Sequence, residues 1–330
     1  MLAHAVRRLV LGAGVVFGIV TLTFLLLHFA PGDPARLWVG PGAGAEELAT
    51  ARAVLGLDRP LAVQYITWLA AFLTLDWGTS LADQQAVVAI IGGALPLTIL
   101  LTGLSLGVTY AAGVVLGAFQ ALTRRRGADT GITVATLVFY GMPAYWLAIM
   151  LVLVFSYTAA RSGWPAWLQF PAMGAASLDA DLYSDWGRLV DRLRHLILPL
   201  TTLSLIGVAG LARYARGSVR DVMHMSFVHA ARAKGLPRWL VARRHILRNA
   251  LLPIVTLLGL SLPALVSGTV FVETIFAWPG MGRVMVNAVT ARDYPVVMGT
   301  TVVFAVLVVV GNLLADLMTA AVDPRQREAA

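Results

Sequence analysis

No cysteine occurs anywhere in the 330 residues, so disulfides, thiolate metal sites and cysteine nucleophiles are excluded. Charge is scarce too. Asp, Glu, Lys and Arg make up 13% of the chain, where an ordinary soluble domain carries about a quarter. Set beside 58% apolar residues, that scarcity excludes a soluble globular domain and points to an all-α protein that crosses a membrane repeatedly. Lysine is all but missing. The single one, Lys234, is followed by Gly235 and Leu236 rather than Ser or Thr, so the phosphate-cradling loop G-x-x-x-x-G-K-[ST] cannot form and the chain is not itself an ATPase. Neither H-E-x-x-H nor G-x-S-x-G occurs, and the six histidines are scattered. No catalytic residue, no metal site and no cofactor held by this chain are expected.

What the chain does have is apolar runs long enough to span about 30 Å of hydrocarbon. Residues 1–30 read as a first transmembrane helix that is not cleaved, because its apolar stretch exceeds the core of a secretory signal and Pro31-Gly32-Asp33-Pro34 ends it. Residues 31–94 read as an external segment. Its helix-like stretch 46–55 is amphipathic, and its apolar stretch 63–75 is too short to cross but carries Tyr65 and Trp68, with Trp77 just beyond, which suit a membrane interface. Residues 95–330 read as the transmembrane core, with further spans near 95–122, 132–157, 196–214, 250–271 and 296–322. The total is about six. Gly103/Gly107 and Gly113/Gly117 make two faces suited to close helix packing, and 160–194 reads as a structured external cap.

Six spans with both termini cytoplasmic make a charge prediction, since Lys and Arg collect on the inside. Sixteen of the basic residues fall in the loops so assigned and nine outside, while acids run twelve outside to four inside. Orientation therefore accounts for the net charge of +8, and nucleic acid is not needed as a partner.

The densest basic island is the loop 215–249. Within it S-F-V-H-A-A-R-A-K-G-L, residues 226–236, reads as a short helix with Ser226 as N-cap and Gly235 as its stop, and a second helix starts at Pro237. The plain reading is a loop whose charges hold the neighbouring spans the right way round. The same residues closely resemble the "EAA" loop in membrane subunits of ATP-binding-cassette importers, in the form found in dipeptide, oligopeptide and nickel permeases. His229 stands where that family usually has Glu. The resemblance continues in G-L-D-R-P-L and W-G-T-S-L of the external segment, in M-P-A-Y-W at 142–146, in W-P-G-M-G-R at 278–283 with R-D-Y-P at 292–295, and in D-P-R at 323–325.

That resemblance implies the type I importer transmembrane fold, of the first, dipeptide-permease-B-like, of the two permease types, in the cell inner membrane. It implies a second homologous permease, two cytoplasmic ATPases that hold ATP and Mg, and an external substrate-binding protein, all working in membrane lipid on peptides or a similar small solute. It makes Phe227, Val228, His229, Ala230, Ala231, Arg232, Ala233, Lys234, Gly235 and Leu236 the ATPase-docking coupling helix, and Trp278, Pro279, Gly280, Gly282 and Arg283 an external gate loop. Asp316, with Asn312 one turn before it, is the acid inside a span, where it should face protein or water. It reads as a polar clamp between helices or as a proton site. The second sense, with Glu273, would make the chain a proton-coupled secondary transporter that needs no docking helix.

Overall fold

The computed structural model describes residues 2–29, 34–40, 42–123, 125–261 and 269–322. Every regular element among them is a helix, and extended pairing is limited to one bridge between Thr79 and Ala86. In chain order these are α1 (Leu2–Phe29), α2 (Pro34–Val39), α3 (Ala45–Val54), α4 (Leu61–Leu73), α5 (Val87–Leu122), α6 (Arg126–Gly141) and α7 (Ala144–Val152). After them come α8 (Asp185–Met223), α9 (Ser226–Ala233), α10 (Arg238–Leu240), α11 (Arg248–Ser261), α12 (Val270–Ile275), α13 (Met281–Ala291) and α14 (Tyr294–Val322). A π-helical stretch, Leu153–Thr158, carries α7 on to Arg161, and another, Val241–Leu247, joins α10 to α11.

Among the described residues five helical stretches are long and apolar enough to cross a bilayer: Val10–Phe29, Val87–Leu122, Ala144–Arg161, Asp185–Met223 and Tyr294–Met318. Of the remaining expected span, 250–271, the helix is described to Ser261, and residues 262–268 lie outside the described residues. So do Pro31, Gly32 and Asp33 of the first stop, Arg124 of the basic set, and the D-P-R at 323–325.

The third span differs from a single helix over 132–157. Pro143 has no N–H and disfavours helical backbone in the residue before it, and Met142 accordingly turns extended at φ −76°, ψ 131°. The chain breaks there into α6 and α7. Helix α8 exceeds its expected length at the start: its 39 residues reach about 58 Å, well beyond the hydrocarbon, and Ser184 caps it by accepting from Gly187 N–H. The segment before α8 is structured, as expected, because Asp191 accepts from the Ser177 N–H (2.8 Å) and hydroxyl (2.6 Å).

The described residues form two compact units, one within Ile99–Trp278 and 311–322, the other within Leu2–Thr98 and Pro279–Val310. In the first unit α8 is the central helix, packed by α6, α7 and α11. Glycine makes its crossing with α5 possible. A Cβ at Gly117 would strike the Ala212 carbonyl oxygen, and one at Gly113 would come within 2.9 Å of Leu211. The expected close packing holds for this pair; a Cβ at Gly103 or Gly107 would meet nothing within 4 Å, so among the described residues the other face has no close partner.

In the second unit Val87, Ile91, Met281, Ala288, Val296 and Val297 form the core. The 13 residues of α4 reach only about 20 Å, too short to cross, and none is buried. Its aromatic side binds α1 instead: the Tyr65 and Thr21 hydroxyls are 2.7 Å apart, and Phe24 meets Tyr65 and Trp68 with ring centroids 5.2 and 5.9 Å apart.

Candidate functional site

Helix α9 is built by a tight turn at each end. His224 closes α8, Met225 turns extended, and the Met225 carbonyl accepts from Val228 N–H (3.0 Å) and His229 N–H (3.3 Å). Met225 is therefore the N-cap, one residue earlier than the Ser226 expected, and no side chain caps the helix. At the far end Gly235 has φ +75° and its N–H reaches the Arg232 carbonyl at 3.0 Å. This is the left-handed stop that glycine adopts without a Cβ penalty. Pro237, extended at ψ 144°, then opens α10 one residue before its first helical position.

The expected docking residues divide by face. Val228 and Ala231, three apart, are buried in the chain's own cluster with Ala118, Val219, Val222, Val241, Ile246 and Ala250, and Leu236 packs against it. Ala231, expected at the contact face, is thus turned inward. Phe227, His229, Ala230, Arg232, Ala233, Lys234 and Gly235 are exposed, Phe227 at 39%. The inward pair fixes α9 on the ends of α5 and α8 and on the π-helical stretch; the outward residues, Phe227 among them, are left exposed.

Beside this helix lies a polar knot whose parts were read only as topology charges. Asp129, in the first turn of α6, takes Arg216 (2.7 Å) and Arg220 (2.9 Å) on one carboxylate oxygen. The Gln120 amide donates to the Asp129 carbonyl (3.0 Å) and to the Thr133 hydroxyl (2.6 Å). The Arg216 hydrogen bond, helped by both guanidinium charges, holds the Asp129 carboxyl below its ordinary pKa. The knot ties the end of α5 and the start of α6 to α8, within three residues of its end. The four-residue spacing of Arg216 and Arg220, which puts both on one face of a helix, is the sequence signal for it.

The W-P-G-M-G-R element is mostly interior. Trp278 is buried, and its N–H closes a turn onto the Glu273 carbonyl (2.8 Å) across Ala277 at φ +46°. Gly280 is the N-cap of α13, Met281 N–H donates to the Thr98 hydroxyl (2.8 Å), and Gly282 is buried beside it. Pro279 is exposed, and Arg283 borders a cavity of about 320 Å³ with Pro279 and Gly280. In R-D-Y-P, Arg292 takes φ +55° to end α13. Asp293 is buried and starts α14, accepting from the Ser80 hydroxyl, Ala82 N–H (3.3 Å) and Val296 N–H (3.5 Å). On α14 Asn312 is exposed and Asp316 half-buried; neither belongs to α9 or its knot. Among the described residues no group of His, Cys, Asp or Glu is arranged to hold a metal.

The family profile described as "Binding-protein-dependent transport system inner membrane component" matches residues 113–328, and the one described as "Binding-prot-dependent transport system membrane comp, N-term" matches residues 1–102. An oligopeptide transport system permease protein of Bacillus subtilis is 37% identical, over 98% of this chain and 99% of its own length. A di/tripeptide transport system permease protein of Pseudomonas aeruginosa is 34% identical, over 99% of both. Among solved structures, one described as the crystal structure of an amino acid ABC transporter with histidines aligns at a TM-score of 0.53 and 16% identity, over 71% of this chain and 94% of that one. At that identity the likeness concerns the fold alone.

Proposed function

The chain belongs to the family of binding-protein-dependent transport system inner membrane components, and from that premise we propose that it forms part of the solute path of an ATP-driven peptide importer. It is a multi-pass inner-membrane permease subunit. The cargo reading rests on full-length relatives named for oligopeptides and for di- and tripeptides. Its partners in this reading are a second, homologous permease, two cytoplasmic ATPases that bind ATP and Mg, and an external substrate-binding protein. The family gives no support to a proton-coupled transporter built on Asp316.

The observation that carries the coupling step is the two-faced α9. Its Val228 and Ala231 are rooted in the core while Phe227, Ala230 and Ala233 are turned out. A push on the outer face is delivered through the inner pair to the ends of α5 and α8. Closure of the ATPases around ATP supplies that push, and the spans respond by reopening toward the external side. Both termini and Arg232 are cytoplasmic in this scheme; reaction of Arg232→Cys with an impermeant maleimide in intact cells would overturn the orientation.

The test is Ala230→Glu in the complete assembly. A bulky acid at the centre of a packed interface leaves a charge unpaired, worth about 2–4 kcal/mol or more. The variant is expected to insert and melt like wild type while losing both ATPase co-purification and peptide uptake. Wild-type ATPase yield with intact uptake would return α9 to a loop that only sets orientation.

A further inference from the structure

The first unit contains an open cavity of about 360 Å³ between α5, α8 and α11, within the range of small-ligand sites. Seven of its thirteen described lining residues carry a hydroxyl, and none is Asp, Glu, Lys, Arg or His. Such a wall cannot match a charge. It offers hydrogen bonds, and the structure fixes their direction.

The Ser261 hydroxyl donates to the Leu257 carbonyl (2.8 Å), so its 2.8 Å bond to Tyr110 has the tyrosine as donor. Ser105 likewise donates to the Thr102 carbonyl (2.9 Å). The protons of these hydroxyls are spent on the protein, and their remaining capacity is to accept. Thr269 is the opposite case. It is 97% buried, borders the cavity, and its hydroxyl has no hydrogen-bond partner among the described residues. An orphaned buried hydroxyl is costly unless something binds it.

We infer that this cavity receives the uncharged backbone of the solute in transit, its amide N–H groups donating to the Ser105 and Ser261 hydroxyl oxygens and a carbonyl accepting from Thr269. The inference rests on the peptide-importer reading and adds the chemical group recognised. Because the wall is neutral, it makes no ion pair with the peptide's ends or side chains, and one site serves peptides of many sequences. The absence of charge also keeps binding weak, as a path that must release its cargo requires.

The chain lacks cysteine, so Leu257→Cys, a lining position that enters the hydrogen-bond set only through its backbone carbonyl, reports occupancy by its alkylation rate in the purified assembly without ATP. Triglycine is expected to slow alkylation, and trisarcosine, which has no amide N–H, to need about tenfold more for the same protection. Adding Ser261→Ala or Thr269→Val should raise the protecting concentration about three- to tenfold each, the scale of one hydrogen bond, and Thr269→Ser should restore it. Equal protection by the two tripeptides, or none in an assembly that takes up triglycine, overturns the site. Protection of Leu257→Cys without uptake of any peptide by the complete assembly would instead leave the amide site standing and sink the importer reading.

Discussion

The two strongest motif stretches are used in opposite ways. Of the ten residues from Phe227 to Leu236, seven are exposed and only Val228 and Ala231 are buried. In W-P-G-M-G-R and R-D-Y-P the weight is reversed: Trp278, Gly280, Met281, Gly282 and Asp293 are buried, and Asp293 spends its carboxylate on Ser80, Ala82 and Val296. A residue pattern shared with a family therefore does not by itself mark a contact surface. Where the side chains point inward the pattern specifies architecture, and where they point outward it leaves a face free for the docking role proposed above.

The sharpest test of that division is within α9 itself. Ala231→Glu puts an unpaired carboxylate into the core cluster and should cost several kcal/mol, so the chain is expected to fail to accumulate in the membrane. Its neighbour Ala230→Glu, on the exposed face, is expected to accumulate normally and to fail only in assembly. If Ala231→Glu accumulates and melts like wild type, the inward face is wrongly identified and the contrast collapses. Next in size is Asp293→Ala, which strands the Ser80 hydroxyl and two backbone N–H groups; about 2–4 kcal/mol should be lost, read as a lowered melting temperature in detergent. An unchanged melting temperature would mean that the buried motif is not architectural.

Much of this was legible in sequence, for local reasons. The stop at Gly235 follows from one residue's freedom at positive φ, and five of the six expected spans appear as long apolar helices because length and hydropathy are enough to find them. The direction of α9 was not legible. Its eight residues hold two apolar rows at the same spacing, Phe227 with Ala230 and Ala233, and Val228 with Ala231, and periodicity cannot say which row is buried. Only the cluster contributed by α5, α8 and the stretch after α10 decides it, and those residues are up to about a hundred positions away. The break at Met142 was available in the residue before Pro143, but an unbroken apolar run outweighed it. That Thr269 and Ser261 face one cavity was not legible either, since it depends on how α5, α8 and α11 pack.

Smaller effects sharpen the contrast at its hinge. A Cβ at Gly235 would meet open space, so the cost of substitution there is conformational only. Gly235→Ala should lose about 1 kcal/mol and Gly235→Val up to about 2, since a branched residue tolerates φ +75° less well. Assembly with the ATPases should weaken in the same order. Equal stability of all three proteins would mean that the chain leaves α9 by another turn.

The smallest effect, and the one with a pH signature, is at Asp129. Its carboxyl is held below its ordinary pKa, first by the Arg216 hydrogen bond. A depressed carboxylate contributes stability that is fully present above the unfolded-state value of about 3.9 and is lost as pH falls through the lower folded-state value. Asp129→Asn keeps the shape and removes the charge. The melting temperature of wild type should therefore exceed that of the variant at neutral pH by a small margin, and the gap should close only below about pH 4, as the native carboxylate takes up its proton. Raised salt should narrow the gap as well, because Arg220 is 44% exposed and its share of the attraction is screened. A gap that is the same at pH 7 and at the acid end would show that the knot acts through packing alone, and the outward face of α9 would then rest on its apolar root without electrostatic help.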